Sequence, residues 1–536
     1  MSIRASILAL TLAALTLPRL LLPAPGAAAT DFNGDGRTDV VIGVPFEDLG
    51  AEYGAGAARI LYGSRRGLSL RHDLYYAANR RRIPGHAHAG ALISLDNPSA
   101  GGGDFNGDGY DDLAIRDSAQ SVKAHHRRGH GAVEILYGTD HGLTLRGIRR
   151  ITEETRGVPA NTEFGDGFGH PTLAGDFDGD GYDDLAIGAI GKKFGGAFIL
   201  YGSRRGLTGR GSVLFTEHSV GLPRKGLDSL DLFGFTIAAG DYDGDRHDDL
   251  AIGAEGRDFA DGFSQGAVQI LYGSQRGLTT RHNRLFSRLN RGMAGPGAQD
   301  AAHFGATLSA GDINGDGRDD LAVGSPDELD PTYVRVAQGA VNVLFGSRHG
   351  LNLRDDRYLN PFAYPTPASP RSDADGDWGW ALAIGDLDGD GNDDLGVGSR
   401  NSSAPGEEFD AGGTVSVLFG NQNGISARSS VLLSQLTPRI APQGVRLGAH
   451  FGSAVAIADI NGTGPDELLI GEPRDLTDPD YGSQCSTGVL HVLFPDRQRR
   501  LLANPPRRLS RNSPGMAGHP RTVCDAFARS LAANGP

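Results

Sequence analysis

Sulfur and lysine are nearly missing from this chain. Its 536 residues hold two cysteines, three methionines and two tryptophans, and only 4 of the 51 basic residues are lysine. Two cysteines cannot build a disulfide-dense scaffold, and no cysteine or histidine spacing suits a zinc site. No phosphate-cradling glycine loop is present either. After residue 29 there is no run of about 18 apolar residues, which excludes a later bilayer-spanning helix. Apolar residues at helical spacing are scarce, which argues against a helical bundle. The formal charge is −14, which argues against a nucleic-acid partner.

What the chain has instead is 81 glycines and one pattern repeated seven times. The pattern is typified by DFDGDGYDDLAIG, Asp176 to Gly188. Its copies start at Asp31, Asp104, Asp176, Asp241, Asp312, Asp386 and Asp459, spaced by 73, 72, 65, 71, 74 and 73 residues. Such spacing leaves one small antiparallel sheet per copy. Oxygen-bearing side chains occupy positions 1, 3, 5 and 9, with Gly at 4 and usually at 6. A hard cation such as calcium takes about six to eight oxygens, which alternate side chains and the position-7 carbonyl can supply. Position 12 is Ile42, Ile115, Ile187, Ile252, Val323, Val397 or Ile470 rather than the Glu of a helix-flanked calcium loop. Each loop therefore runs into a buried strand.

The copies share an internal grammar. An aromatic-Gly strand precedes the loop, as at Phe168, Phe233, Phe304, Trp378 and Phe451. A second strand follows it, then a third of the form GAxxILYGSRRGL, then a weaker fourth. Four strands in each of seven units predict an all-β, seven-bladed β-propeller of four-stranded antiparallel blades occupying residues 30–536. The first copy has no aromatic-Gly strand, but Phe527 and Leu531 follow Gly515-Met516-Ala517-Gly518 at the spacing of Phe304 and Leu308 after Gly292-Met293-Ala294-Gly295. A closing strand at about 525–534 is expected to pair into the first blade. The second copy reads as degenerate, with its first strand around Ala91 to Leu95 and an insertion at Gly101 to Gly103. Cys485 and Cys524 fall in loops on the face opposite the acidic loops, which makes them a disulfide candidate. That bridge would contribute about 4 kcal/mol in the chain-entropy model.

Residues 1–29 carry Arg4, an apolar run from Ile7 to Leu22 broken at Pro18 and Arg19, and Ala27-Ala28-Ala29. They read as a secretory signal peptide cleaved near Ala29, so a secreted, extracellular protein is expected. Removing Arg4 and Arg19 takes the formal charge from −14 to −16, and six divalent ions would bring it to −4. Metal is the simpler account of the acidity.

The aromatic-Gly strand followed by a DxNGDGxxDL loop resembles the FG-GAP repeat of the integrin α-subunit propeller, over essentially the whole chain after residue 29. The resemblance implies calcium on one face and ligands on the other. It is similar also to secreted calcium-containing propeller lectins and to accessory domains of phospholipases. Carried over by position, the implied side-chain ligands are Asp31, Asn33, Asp35 and Asp39; Asp104, Asn106, Asp108 and Asp112; and Asp176, Asp178, Asp180 and Asp184. The later sites take Asp241, Asp243, Asp245 and Asp249; Asp312, Asn314, Asp316 and Asp320; and Asp386, Asp388, Asp390 and Asp394. The carbonyls of Arg37, Tyr110, Tyr182, His247, Arg318 and Asn392 complete the sets, giving about five or six Ca2+ sites. Two copies depart from the pattern. Arg246 replaces the position-6 Gly, which strains the fourth loop. The seventh has Asp459, Asn461, Thr463 and Glu467 with Pro465, so weak binding or none is expected there.

No catalytic set emerges. Gly262-Phe263-Ser264-Gln265-Gly266 fits GxSxG but lacks the strand, turn and helix of a nucleophile elbow. Lys123 to His130 reads as a solvated loop, and Trp378 and Trp380 read as core. The resulting expectation is a monomeric, non-enzymatic binding or adhesion module. It would take an extracellular protein or glycan ligand on the face opposite the calcium loops. A calcium-dependent lectin and an enzyme acting on extracellular polysaccharide stand as alternatives.

Overall fold

The computed structural model describes residues 30–44, 56–77, 100–117, 131–159, 167–190, 195–219, 231–259, 262–329, 337–361, 376–403, 412–440, 448–473, 488–496, 498, 500–502, 504–510, 513–514, 516 and 527–532. The signal-peptide reading, the Cys485–Cys524 pairing, residues 91–95 and the Lys123 to His130 loop lie outside them.

Apolar residues directly after each acidic loop, such as Leu185-Ala186-Ile187, are fully buried and start the second strand of a blade. The seven sheets are all antiparallel and four-stranded. Blade 2 comprises Ala100–Gly103, Asp112–Asp117, Ala132–Tyr137 and Thr144–Ile151. Blade 3 comprises Thr172–Gly175, Asp184–Ala189, Gly196–Leu200 and Val213–Thr216. Blade 4 runs through Ile237–Gly240, Asp249–Ala254, Ala267–Tyr272 and Thr279–Phe286. Blade 5 follows with Thr307–Gly311, Asp320–Ser325, Ala340–Phe345 and Asn352–Leu359. Blade 6 holds Ala381–Gly385, Asp394–Ser399, Thr414–Phe419 and Ser426–Ser434. Blade 7 holds Ala454–Ala458, Glu467–Glu472, Val489–Leu493 and Arg507–Leu509.

Blade 1 takes its second to fourth strands from Val40–Val44, Ala57–Tyr62 and Ser69–Tyr76, and its inner strand from Ser530–Ala532 at the far end of the chain. Val41 faces Ala532, Ile42 faces Leu531 and Gly43 faces Ser530. The expected closing strand is thus present. The core confirms a ring: its apolar clusters lie between neighbouring blades, and one of them joins blades 7 and 1 through Leu469, Leu490, Ile42 and Phe527. Each buried Leu or Ile there is worth about 1.5–3 kcal/mol.

Two sequence readings are corrected. The aromatic-Gly pair does not lie in the inner strand; it forms the turn before it. The Gly takes positive φ, between 83° at Gly452 and 97° at Gly169, and donates to the Gly carbonyl of the second strand, as Gly169 N–H to Gly188 O at 3.0 Å. Gly101 to Gly103 are not an insertion: they form the inner strand of blade 2 itself, paired with Leu113 and its neighbours. Glycine is needed there because a Cβ on Gly102 would lie 2.2 Å from Thr30 Cγ2.

The same turn seals six junctions among the described residues. The Gly that opens a third strand has the next blade's aromatic backbone against it: a Cβ on Gly413 would sit 2.1 Å from Phe451 O, and one on Gly488 2.0 Å from Phe527 O. Phe527 therefore acts as the aromatic of blade 1. Its following residue is Ala528, held at φ 61° where blades 3 to 7 have Gly. An L-residue in that region is strained by about 1–2 kcal/mol. Ala528→Gly is expected to raise the denaturant midpoint, corresponding to about 1 kcal/mol. Gly452→Ala, whose Cβ would meet Thr414 O at 2.4 Å, is expected to cost about 1–3 kcal/mol. Chemical denaturation of the two variants checks both signs.

Candidate metal centres in the acidic loops

The position-1 aspartate folds each acidic loop around itself. In the second copy, Asp104 Oδ1 accepts from Gly107 N at 2.7 Å and Asp108 N at 3.1 Å, and Oδ2 accepts from Gly109 N at 2.8 Å. Asp386 does the same with Gly389, Asp390 and Gly391. Asp31, Asp176 and Asp312 accept from the position-5 and position-6 amides. Position 5 then accepts from the position-7 amide, as Asp108 from Tyr110, Asp180 from Tyr182, Asp245 from His247, Asp316 from Arg318 and Asp390 from Asn392. In the first loop Asp35 pairs instead with the Arg37 guanidinium at 3.0 Å. Position 3 caps position 5 in three loops, through Asp178, Asp243 and Asp388.

The two loop glycines have different reasons. At position 4 the neighbouring blade intrudes: a Cβ on Gly107 would meet Tyr182 Cε1 at 2.4 Å, and one on Gly179 would meet His247 Cδ2 at 2.7 Å. At position 6 the space is open at Gly109, Gly181, Gly317 and Gly391, and only the positive φ constrains the residue. Arg246 fits there at φ 74°, and its N–H still donates to Asp241 Oδ2 at 2.9 Å. The fourth loop thus keeps its shape despite the strain.

The position-9 carboxylate is fully buried and joins the loop to its own blade. Asp184 accepts from Phe177 N at 3.1 Å and from Gly202 N at 2.8 Å, in the turn after the third strand. Asp39, Asp249 and Asp394 make the equivalent pair of bonds. Asp112 and Asp320 take Gly138 N and Gly346 N. Burial pushes these acids up, to about 8 for Asp39 and Asp112 and about 9 for Asp184, Asp249 and Asp394. For Asp320 the direction is the same.

Three loops gather carboxylates tightly. Asp176, Asp178 and Asp184 bring ligand oxygens within 4.8 Å of one another, as do Asp241, Asp243 and Asp245, and Asp386, Asp388 and Asp394. Such acidic clusters could hold a metal ion, because like charges this close need a cation or protons between them. The loops with asparagine at position 3 differ. Asn106 and Asn314 turn their amide nitrogens toward Asp112 and Asp320, so their oxygens would face a cation only after the amide rotates. In the seventh loop Asn461 Nδ2 donates to Glu467, Gly464 moves to φ 128°, and Thr463 supplies only its amide to Asp459.

A second carboxylate in the motif does something that its spacing does not reveal. Position 8 reaches across to the preceding blade: Asp31 N donates to Asp111 at 2.7 Å, Asp104 N to Asp183 at 2.7 Å and Asp176 N to Asp248 at 2.9 Å. Asp319, Asp393 and Asp466 serve Asp241, Asp312 and Asp386 in turn. Each position-8 amide donates back to the position-1 carbonyl, and Thr38 N to Asp459 O at 3.0 Å completes the ring. Burial raises these acids too, Asp183 to about 6 and Asp248 to about 8. The acidic doublet, Asp-Asp in five copies and Asp466-Glu467 in a sixth, was the available signal.

On the opposite face, Trp378 is buried and donates from Nε1 to Ser416 Oγ at 3.0 Å, as expected of core. Trp380 is only half-buried. Ser264 sits in a loop at φ 46° with its amide on Asp258, and no helix follows it among the described residues. No described helix is long and apolar enough to cross a membrane.

The family model for the FG-GAP repeat matches residues 24–61, 97–122, 168–200, 233–271 and 304–344. Over 167 residues the chain is 35% identical to integrin alpha-PS5 of Drosophila melanogaster, covering 31% of this chain and 14% of that protein. It is 26% identical over 408 residues to phosphatidylinositol-glycan-specific phospholipase D of Bos taurus, covering 71% of this chain and 43% of that protein. Integrin alpha pat-2 of Caenorhabditis elegans is 28% identical over 213 residues, 36% of this chain and 15% of that protein. The chain thus spans less than half the length of these relatives. Among solved structures, the Dos1 propeller aligns with 76% of this chain and 72% of its own, at a TM-score of 0.36 and 12% identity. A rhamnogalacturonan lyase of Bacillus licheniformis aligns with 80% and 73%, at a TM-score of 0.32 and 13% identity. Likeness at that level says nothing of activity.

The raised acids set the pH dependence of metal-free protein. A carboxyl whose folded pKa lies above its unfolded value stabilises the fold below about pH 4. That contribution is lost as pH rises through the folded value, here about 6 to 9. Metal-stripped protein should therefore melt at progressively lower temperature from about pH 5.5 to about pH 9. Excess calcium should flatten the fall. Equal slopes with and without calcium would mean the loop acids do not govern it.

Proposed function

Because the chain is an FG-GAP repeat protein with an integrin α-like β-propeller, we propose that it is a secreted, calcium-binding propeller acting as an extracellular adhesion module without catalysis. The observation that carries the metal assignment is the gathering of the Asp176, Asp178 and Asp184 oxygens within 4.8 Å of one another and its counterparts at Asp241 and Asp386, with burial raising the Asp184 carboxyl so that a neighbouring cation would favour its charged form. The donors are all oxygen and include no sulfur, which suits a hard cation. Asp31, Asp104, Asp176, Asp241, Asp312 and Asp386 head the six sites, each using positions 1, 3, 5 and 9 and the carbonyl of position 7. The altered seventh loop is left out.

The adhesion role is supported by the kinship to integrin alpha chains. It is supported also by the division of labour between the faces. On the metal face the acids are engaged in loop folding and blade joining, whereas the other face carries loops that differ from blade to blade. The phospholipase kinship covers only part of that protein, and the GxSxG stretch has no elbow, so binding without turnover is the reading adopted. A lectin role has less behind it, since Trp378 is buried and Trp380 lies under Arg400. The pairing of Cys485 with Cys524 belongs to the same extracellular reading.

Equilibrium dialysis should find five or six calcium ions per chain, and Asp180→Ala should lower that number by one without unfolding the protein. At calcium about a hundredfold above the dissociation constant, one site adds about 2.7 kcal/mol, so chelation should lower the melting temperature clearly. Beads carrying the chain should attach to cell surfaces in calcium and detach in EGTA, while a glycan array stays silent in both. Calcium-dependent capture of one defined sugar would make the protein a lectin instead.

A further inference from the structure

Arginine–carboxylate pairs recur among the described residues of this propeller, and three of them are closed. Arg59 with Asp73, Arg257 with Glu217 and Arg288 with Glu328 meet through a terminal Nη, with both side chains at most 5% exposed. They are internal ties. Arg400, in the loop after the second strand of blade 6, is built differently.

Arg400 binds its carboxylate sideways. Its Nε donates to Asp377 Oδ2 at 2.8 Å, and its guanidinium lies over the Trp380 ring at 3.2 Å from the centroid. Asp377 is itself fixed, since its side chain also accepts from Asn401 Nδ2 at 2.8 Å, Asn401 N at 3.2 Å and Ser399 Oγ at 3.1 Å. Trp380 is fixed through its amide, which bonds Asp377 O and Gly398 O. The Asp377 side chain is 6% exposed, whereas that of Arg400 is 32% exposed. The two Nη groups of Arg400 have no hydrogen bond to a described residue. A guanidinium with its Nε occupied, its plane held and its outer fork open matches a planar carboxylate and loses little side-chain entropy on binding.

We propose that Arg400, held by Asp377 and Trp380, is an anchor for an Asp or Glu carboxylate of a protein partner on the face opposite the metal loops. This rests on the adhesion reading above and names the partner's chemistry. A protein segment is favoured over an acidic glycan because the Arg400 guanidinium covers a Trp380 face on which a sugar would stack. The loops of the same face also expose Phe263 and Leu329, at 59% and 38%, as apolar area for a polypeptide to cover.

The chain offers its own reporter, because Trp378 and Trp380 are its two tryptophans. Hexaglutamate titrated into the full chain with calcium present should change the tryptophan emission saturably, and hexaglutamine should not. Arg400→Lys keeps the charge but loses the fork, and should weaken the response roughly tenfold, the loss of one charge-assisted bond, with an unchanged melting temperature. Arg400→Gln serves if the lysine variant melts early. An equal response in these variants overturns the anchor, as does no response to hexaglutamate or binding of oligogalacturonate in its place. Bead attachment that persists unchanged in Arg400→Lys removes the anchor and leaves the adhesion reading standing. Hexaglutamate binding without any bead attachment does the reverse.

Discussion

Everything in this propeller depends on two adjacent carboxylates that pull in different directions. At the head of the second strand in six blades, position 8 accepts the backbone of the preceding blade while position 9 accepts the backbone of its own. One acid sets the spacing between blades and the next sets the loop against the third strand. Position 9 is fully buried and position 8 buried or half-buried, and burial of a carboxylate is tolerated only where hydrogen bonds or a positive charge compensate it. Backbone amides supply the first compensation. A cation at the loop would supply the second, which couples metal binding to the packing of blade on blade.

The opposite end of each junction works by sterics rather than charge. The third-strand glycine, the aromatic backbone and the second-strand glycine stack so closely that no Cβ fits at Gly339 or Gly398. Repeat proteins gain stability from nearest-neighbour interfaces, and in a closed ring every interface counts once more because no blade is terminal. The seventh-to-first junction is the weakest version of both devices. Thr38 contributes an amide but no carboxylate, and Ala528 occupies a glycine conformation. The closing strand of three residues, Ser530–Ala532, has to hold a junction whose polar and steric clasps are both diluted.

Much of this was legible in sequence because the repeat multiplies each signal. Seven copies of an acidic loop leading into Leu-Ala-Ile identify both the loop and the strand, and the spacing of Phe527 and Leu531 identifies the closing strand. What stayed hidden depends on partners far away in the chain. The role of Asp111 is a bond to the amide of Asp31, 80 residues earlier, which no local pattern encodes. Gly101 to Gly103 looked like an insertion because their reason is a neighbouring blade, with Thr30 and Leu173 pressed against them. Arg246 shows the converse. The positive φ at position 6 was readable, but that open space lets a long side chain stand there was not.

The partition of polar groups between the faces bears on where recognition can occur. On the face of the acidic loops, position 1 accepts amides of its own loop, position 8 joins blades and position 9 joins strands, so a partner would have to compete with bonds that hold the ring. Opposite, the loops differ in length and residue type between blades, and the buried acid Glu328 is met there by Arg288 and Tyr358. The opposite face carries the steric clasp in its short turns and leaves its longer loops to vary, and the sideways hold on Arg400 is one place where such a loop leaves a charged group partly exposed.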